Sequence, residues 1–388
     1  MKNRRRLTGY LSLIAVVFSL WVFSGCSKSS EPAPTMTIID LMASAKFKES
    51  ASVTDDKALD SLVKYVNLYP DLVSTLGTAG GLMTYFAPSN KAFKNLLATP
   101  GFPSNIKLIN PALIQGVLYY HLVADQKLTS SLTSGTTLTS FYIDPTSLVA
   151  QTIVVNSDGT LKTGSTNQSI HFTVPDQKAT NGVMHVVESV MIPPTVGASL
   201  TPILGTIAGT VLLGADFTDL AQIIAKADAN FTESAPNLAF KITTWLAMPV
   251  SGTTATANVN GLTFFAIPNA VFKAGATAAG KSEADFVALF TTSSDAARGL
   301  LLNHLVVTGK YVRVAASGST TFANSQPITT KGKAVTVTTG LTPGATYGPY
   351  GIVFTNANTP TASSSAYLAS SDIVNSNGVI QVIAGVLK

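Results

Sequence analysis

The chain has 388 residues, of which 46% are apolar and only 12% are charged. This length and apolar content suffice for two or three domains, and the scarcity of charges leaves a surface of uncharged polar side chains, as in exported, β-rich proteins rather than cytosolic enzymes. The formal charge of +5 comes mostly from four basic residues among the first six, and the rest of the chain holds 21 bases against 20 acids, which argues against nucleic-acid binding.

Residues 1–25 have the features of a signal peptide. A basic segment, residues 2–6, precedes an apolar run, residues 11–23, that is too short to span a bilayer. Small residues then lead to Cys26, the only cysteine of the chain. This junction resembles the lipobox of bacterial lipoproteins, in which the cysteine is lipidated and becomes the first residue of the mature protein. We predict lipid attachment at Cys26, with a conventional cleavage site and an incidental thiol as the alternative.

Residues 26–35 are predicted to be a tether. The segment is polar, contains two prolines and lacks the apolar periodicity of a helix or strand. Its polar part, fully extended, reaches about 25–30 Å. The folded part of the chain should therefore lie close to the membrane.

The first folded stretch, residues 36–194, is predicted to begin with helices and to end with strands. Apolar residues recur at helical spacing in residues 38–42 and 59–68, and Pro70 marks a break between two helices. The later predicted elements are a helix at 111–121, strands at 136–142, 151–156 and 169–174, and a strand at 183–191 that leaves an Asn181-Gly182 turn.

One block of this stretch, residues 82–93, recurs later in the chain without a gap. An apolar run with strand character meets a proline, and Asn90 follows at the point where a new helix can begin. Residues 261–272 repeat the same order of residue types, with Asn269 at the equivalent place. We expect each asparagine to accept a hydrogen bond from a free backbone N–H of the helix that starts there.

Two further blocks show that residues 199–388 repeat the first stretch. Residues 115–123 align with 298–306, and residues 181–187 align with 377–383. Units of this length are tandem domains rather than a solenoid. We call residues 36–194 the first repeat and residues 199–388 the second repeat. The other elements predicted in the second repeat are helices at 204–227 and 296–304 and strands at 335–337 and 351–356.

Three features of the first repeat resemble the fasciclin domain. They are the T-x-F-A-P-x-N-x-A-F block that ends at Phe93, the pair Tyr120-His121 on a helix that runs into a strand, and the N-G-V-x-H-V strand that starts at Asn181. The resemblance is looser in the second repeat, where Asn303 stands in place of the tyrosine.

The resemblance implies an α+β fold. We expect two tandem wedge-shaped domains, residues 36–194 and 199–388, each a small β-sandwich with helices packed around one end. Members of the family are mostly extracellular or surface adhesion modules without catalysis, often in tandem and often anchored to a membrane.

A competing motif lies at residues 275–282, which match the phosphate-binding loop pattern G-x-x-x-x-G-K-[ST]. Such a loop must follow a strand and open a helix, whereas the residues before this segment have the pattern of a helix start. Ser282 is followed three residues later by Asp285 and then by an apolar run. We interpret Ser282 as a helix cap.

The sequence indicates no catalytic residue, metal ligand or cofactor. The four histidines are scattered, and no histidine or cysteine pair has the spacing of a metal site. The acidic residues are spread singly, so no acid and base couple can be named. We therefore do not expect an enzyme.

The candidate binding residues are Tyr120, His121 and His304. The two histidines fall at the same place in both repeats, at the end of an apolar helix. One interpretation is structural, with a partly buried imidazole bonded to the adjoining backbone. The other is a direct ligand contact, because the resemblance implies that the Tyr-His segment takes part in receptor adhesion. That role carries over only to Tyr120-His121.

These features favour a membrane-anchored adhesion or binding protein of the bacterial outer membrane or cell surface. Its expected partners are membrane lipid through Cys26 and an extracellular glycan, matrix or envelope protein. The alternative is an accessory lipoprotein that binds a polysaccharide or small molecule for uptake.

Overall fold

The computed structural model describes residues 32–78, 80–163, 169–234, 240–250, 260–356 and 365–387. The predicted signal peptide, Cys26 and the first part of the tether lie outside the described residues. Within the described ranges, no helix combines the length and the apolar character needed to cross a membrane.

The first repeat begins with helices and continues as a sheet, as predicted. Pro70 opens a helix, and the helix predicted at residues 111–121 is present with almost the same bounds. In chain order the elements are α1 (Ile38–Ala43), α2 (Asp60–Val66), α3 (Pro70–Gly77), β1 (Met83–Pro88), α4 (Asn90–Leu97), α5 (Pro111–Tyr120), β2 (Leu122–Ala124), β3 (Thr137–Ile143), β4 (Ala150–Val155), β5 (Leu161–Thr163), β6 (Ser169–Ile170), β7 (Phe172–Ala179) and β8 (Gly182–Val187).

The second repeat follows the same order. The single helical pattern at residues 204–227 forms two helices, separated by a short 3₁₀ turn at Ala215–Phe217. Helix α6 (Pro194–Leu200) lies between the repeats. The elements of the second repeat are α7 (Ile207–Leu213), α8 (Thr218–Asp228), α9 (Ile242–Ala247), β9 (Leu262–Ala266), α10 (Asn269–Ala278), α11 (Glu283–Ala288), α12 (Ser294–Leu302), β10 (Leu305–Val306), β11 (Tyr311–Val312), β12 (Thr320–Thr321), β13 (Gln326–Thr329), β14 (Ala334–Thr338), β15 (Val353–Asn356), β16 (Ser365–Asn375) and β17 (Gly378–Ala384).

Each repeat has one large sheet, and the centres of the two sheets are equivalent. In the first repeat the strand order is β6-β5-β4-β3-β2-β1-β8-β7, and in the second it is β10-β9-β17-β16-β15-β14-β13. The block strand β1 pairs in parallel with β8 and antiparallel with β2. Its copy β9 pairs in parallel with β17 and antiparallel with β10. The α+β class and the tandem arrangement expected from the sequence are confirmed.

The recurring block positions a strand and a helix in both repeats. All six residues of β1 are buried. Ser89 then ends the strand, and its hydroxyl accepts a hydrogen bond from the Ala92 N–H at 3.2 Å, so the next helix begins at Asn90. In the second repeat Pro268 occupies the same position and makes no side-chain cap. The expected order of strand, break and helix is confirmed.

The two asparagines of this block do not cap their own helices, which corrects that expectation. Asn90 Oδ1 accepts from the Ser61 N–H at 2.8 Å, at the start of α2. Asn269 Oδ1 accepts from the Asp219 N–H at 3.1 Å, at the start of α8. Each amide therefore satisfies a free N–H of an earlier helix and ties that helix to the end of the block strand.

Among the described residues, the buried apolar side chains form three clusters, and the members of each cluster come from one repeat only. One cluster of the first repeat packs its helices against β1 and β8 and includes Leu59 and Tyr85. Another fills the space beside the sheet around Phe86. The third cluster, around Trp245 and Phe264, belongs to the second repeat.

Helix α6 and backbone hydrogen bonds join the two repeats. Residues 195–198, which lie between the predicted domains, belong to this helix. The Asn110 N–H donates to Leu213 O at 2.6 Å, beside a short antiparallel bridge between neighbouring residues. The Gly205 N–H donates to Gly101 O at 3.2 Å. A side chain on Gly101 would place its Cβ 2.4 Å from the Gly205 nitrogen, so the approach requires glycine there.

Candidate functional site

Tyr120 lies at the end of α5 and is completely buried. The helix begins at Pro111, and Asn110 caps it by accepting from the Ala112 N–H at 3.0 Å. At its other end the Tyr120 hydroxyl donates to Thr152 O in β4 at 2.6 Å. Burial raises the pKa of this phenol well above its usual range. Tyr120 thus links the helix to the sheet.

His121 is completely buried, and two backbone groups determine its protonation. Its Nδ1 lies 2.7 Å from Val117 O, and its Nε2 accepts from the Met191 N–H at 2.9 Å. A carbonyl can only accept and an N–H can only donate, so the ring is neutral with its hydrogen on Nδ1. Burial lowers the pKa of His121 to about 4, against an opposing effect of the bond to Val117.

His304 repeats this arrangement in the second repeat. Its Nδ1 lies 2.9 Å from Leu300 O, and its Nε2 accepts from the Leu387 N–H at 3.1 Å. Burial lowers its pKa to about 4 as well. In each repeat the imidazole therefore joins the end of a helix to the segment that follows the last strand.

None of the three candidate residues reaches the surface. Tyr120, His121 and His304 have no exposed area, and their polar atoms are already bonded to backbone groups. A ligand outside the fold cannot touch them in this conformation. The structure favours the structural interpretation of these residues over direct contact.

A second buried pair makes equivalent bonds with different side chains. His185 Nε2 lies 2.8 Å from Lys127 O, and its Nδ1 accepts from the Asp176 N–H at 3.1 Å. Gln381 makes the same two bonds in the second repeat, accepting from the Asp372 N–H at 3.1 Å and donating to a backbone carbonyl at 2.8 Å. Gln381 therefore has the same bonding role in the second repeat as His185 has in the first.

The asparagines that begin the last hairpins have a role that the sequence did not indicate. Asn181 is buried, its Oδ1 accepts from the Ile38 N–H at the start of α1 at 2.9 Å, and its Nδ2 donates to Leu76 O at 2.8 Å. Asn377 makes the same bonds at the start of α7 and the end of α9, at 2.9 and 2.8 Å. Their repeated Asn-Gly pattern predicted only a turn.

One acid pair meets through the fold. Asp219 is 8% exposed, and burial raises its pKa to about 6, with a further rise from the neighbouring Glu283 carboxyl group. The pair forms because the N-termini of α8 and α11 approach each other, which sequence spacing does not show. Among the described residues, no group of three or more His, Cys, Asp or Glu side chains could hold a metal ion.

The segment that matches a phosphate-binding loop is a helix end followed by a cap. Residues 275–278 belong to α10, and Ser282 Oγ accepts from the Asp285 N–H at 3.1 Å to cap α11. A Cβ on Gly275 would lie 2.5 Å from the Phe286 ring, which accounts for that glycine. The capping interpretation is confirmed.

A family model described as the fasciclin domain matches residues 57–193. Most of the first repeat therefore matches the fasciclin domain family. Fasciclin domains are associated with cell adhesion and are generally not enzymes. A comparison with curated proteins finds no match.

Among solved structures, the chain is similar to a fasciclin domain pair from the insect cell adhesion molecule fasciclin I. The two share 14% identity over 86% of this chain and 98% of that one, with a TM-score of 0.29. So low a score does not establish a shared arrangement, and the family match over residues 57–193 alone supports the likeness to fasciclin domains.

Proposed function

We propose that this protein is a membrane-anchored adhesion or binding protein of the bacterial outer membrane or cell surface, without catalytic activity. It would contact a glycan, matrix or envelope protein. The observation that carries the proposal is the fasciclin domain at residues 57–193, since this family is associated with adhesion.

The sequence of the N-terminus supports the anchoring part of the proposal. A basic and apolar leader precedes Cys26, and residues 27–34 are mostly polar and contain two prolines, as expected of a tether. Lipid at Cys26 would hold the protein on the membrane. The tether would hold the fasciclin domain close to that surface.

The interior bonding supports a scaffold that binds through its outer surface. His121 and His304, and likewise Asn181 and Asn377, are buried and bonded to backbone groups. Such side chains stabilise a single arrangement of helices and sheet. Ligand contacts would then come from exposed loops and from the junction of the repeats.

A second candidate function is the capture of a polysaccharide or small molecule for uptake. It is favoured by an open groove of about 1150 Å³ where the two repeats meet, which has aromatic side chains in its walls.

Substitution of the anchor residue tests the proposal. We expect Cys26→Ala to release the protein from the membrane fraction and to abolish adhesion of cells, because the lipid would be the only link to the cell. The released protein should keep the wild-type melting curve, which provides the control. Retention of the variant in membranes after a high-salt wash would contradict lipid anchoring, and wild-type cells that adhere no better than deletion cells would contradict adhesion.

A further inference from the structure

We infer that the open groove between the repeats binds an uncharged glycan. This inference rests on the proposed function and names the site and the ligand class. The groove lies between α5, the β3–β4 hairpin and α6, and the end of α7 closes one side. Its volume of about 1150 Å³ is slightly above the usual range of about 300–1000 Å³ for ligand sites, and the groove is open to solvent.

Three aromatic side chains line one part of the groove. They are Tyr119 on α5 and Phe141 and Tyr142 on β3. Phe141 is 44% exposed. The Tyr142 ring lies against Gly116, where an added Cβ would be 2.7 Å from the ring. Helix and hairpin therefore hold this ring in place, and ring faces of this kind pack well against the C–H faces of sugars.

Uncharged polar groups stand beside the rings. The Gln115 side chain lines the groove and has no hydrogen-bond partner among the described residues. Asn110 uses its Oδ1 on the Ala112 N–H, which leaves its amide N–H groups available. Sugar hydroxyls both donate and accept, so they match amides that offer both functions.

The charge in the groove is close to zero. Among the described residues that line it, none is Lys or Arg, and Asp144 is the one that ionises. Its carboxylate accepts from the Ser147 N–H at 2.7 Å and from the Thr146 N–H at 3.1 Å. The bond from the Ser147 N–H is the main cause of a pKa below the usual range for Asp144. A polyanion would find no countercharge here and a polycation would find only the Asp144 carboxylate, whereas a neutral chain needs no countercharge.

The backbone keeps the groove formed without a ligand. The bond between Asn110 N and Leu213 O ties the start of α5 to the end of α7, so both sides of the groove hold a fixed distance. A preformed site does not have to order its own side chains on binding.

The second repeat does not offer the same surface at the equivalent place. Arg298 aligns with Gln115, and Leu302 aligns with Tyr119. The Arg298 guanidinium stacks on Phe231 at 3.6 Å, so this position carries a cation and its aromatic partner is covered. The groove is therefore a property of the first repeat and its junction, and Leu302 suggests a natural replacement for Tyr119.

The test measures binding of neutral oligosaccharides to the purified full chain in a detergent without a sugar head group. Isothermal titration calorimetry would use cellohexaose, maltohexaose, mannohexaose and N-acetylchitohexaose. We expect at least one to bind with a Kd between about 1 μM and 1 mM. We also expect the affinity to be unchanged by salt, because no charge pair forms.

Two groove variants and one control make the test specific. Tyr119→Leu, which copies the second repeat, and Phe141→Ser should each weaken binding by about 10-fold or more through loss of a stacking surface. Val314→Ser changes a valine that is 55% exposed and does not line the groove, and it should bind as the wild type does. Melting curves should be alike for all four proteins.

Three results would overturn the inference. They are no binding of any of the four oligosaccharides at about 5 mM, wild-type affinity in both groove variants, or a dimer in sedimentation that Phe141→Ser abolishes. The last result would assign the groove to a second copy of the chain. Cells that carry Phe141→Ser and still adhere would refute only the groove, whereas wild-type cells without adhesion would refute the proposed function.

Discussion

At the scale of single residues, the fold of each repeat depends on buried polar side chains whose bonds go to the backbone. His121 and His304 keep the same two bonds although the preceding residue changes from Tyr120 to Asn303. The imidazole is thus independent of its aromatic neighbour. A polar group in such a position stabilises the fold only in the neutral form that its partners accept.

Acid should weaken the fold through these histidines. Their pKa is about 4 in the native protein and about 6.5 in an unfolded chain. Between these values the unfolded state binds protons that the native state does not, so the free energy of unfolding falls as the pH drops from about 6.5 to 4, by about 3 kcal/mol for each ring. At higher pH this contribution is fully present.

His121→Ala isolates one ring. At pH 7.5 we expect a loss of about 1–3 kcal/mol in the free energy of unfolding, because two backbone groups lose their partner. The difference in the free energy of unfolding between the variant and the wild type should be smaller near pH 4.5. At that pH the wild type is destabilised because His121 must stay neutral in the native state, and the variant lacks this ring. Denaturation with urea at both pH values measures this, and His171→Ala, at an exposed imidazole, is the control. An unchanged melting curve with lost adhesion would make Tyr120-His121 a contact site.

Tyr85 is a second residue whose role can be tested by comparing the repeats. It is completely buried, and its hydroxyl has no hydrogen-bond partner among the described residues. Phe264 occupies the equivalent place in the second repeat and is equally buried. Tyr85→Phe should raise the free energy of unfolding by about 1 kcal/mol, and Phe264→Tyr should lower it by about 1–3 kcal/mol. A destabilised Tyr85→Phe protein would show that the hydroxyl is paired.

At the scale of elements, the sequence predicted the kinds of structure and their order but not their partners. The block at residues 82–93 predicted a strand, a break and the start of a helix, and all three are present. Which free N–H the Asn90 amide would satisfy depends on where α2 lies, and no local pattern contains that information. The same holds for β8, which pairs in parallel with a strand about a hundred residues earlier.

Gly182 shows why the local sequence pattern predicted only part of the role of a residue. Its position after Asn181 predicted a turn. In the fold a Cβ there would lie 1.9 Å from Met83 O across the parallel pair, so the glycine also allows β1 to approach. Likewise, the sequence marked Tyr120 and His121 as unusual and could not show that they face inward, because burial depends on elements that follow later in the chain.

At the scale of the whole molecule, the sequence predicted the duplication but not the groove between the repeats. The three matching blocks share their order in both repeats. The groove combines Tyr119, Phe141 and Leu213, which come from elements far apart in the chain and from both repeats. A surface of this kind exists only once the repeats are joined.

The separate cores predict that the first repeat folds alone. Its two apolar clusters contain no residue of the second repeat. We expect a fragment of residues 36–194 to unfold cooperatively, at a lower temperature than the full chain because the bond from Asn110 to Leu213 is lost. Calorimetry measures this transition. A fragment that is molten or insoluble, while the full chain is stable, would show that the repeats depend on each other to fold.

The bond between Asn181 and the start of α1 has a mechanical consequence if the chain is held from its N-terminus. The Thr180 N–H donates to Met36 O at 2.8 Å, and Asn181 holds the Ile38 N–H. A pull from the N-terminal side would therefore reach the turn between β7 and β8 directly, where the edge strand β7 meets β8. The force would then be shared by the hydrogen bonds that β8 makes with β1 and β7. Helix α1 would not have to detach before these bonds carry load. If the chain is anchored at Cys26, we expect these bonds to place traction from the anchor on the sheet rather than on α1 alone.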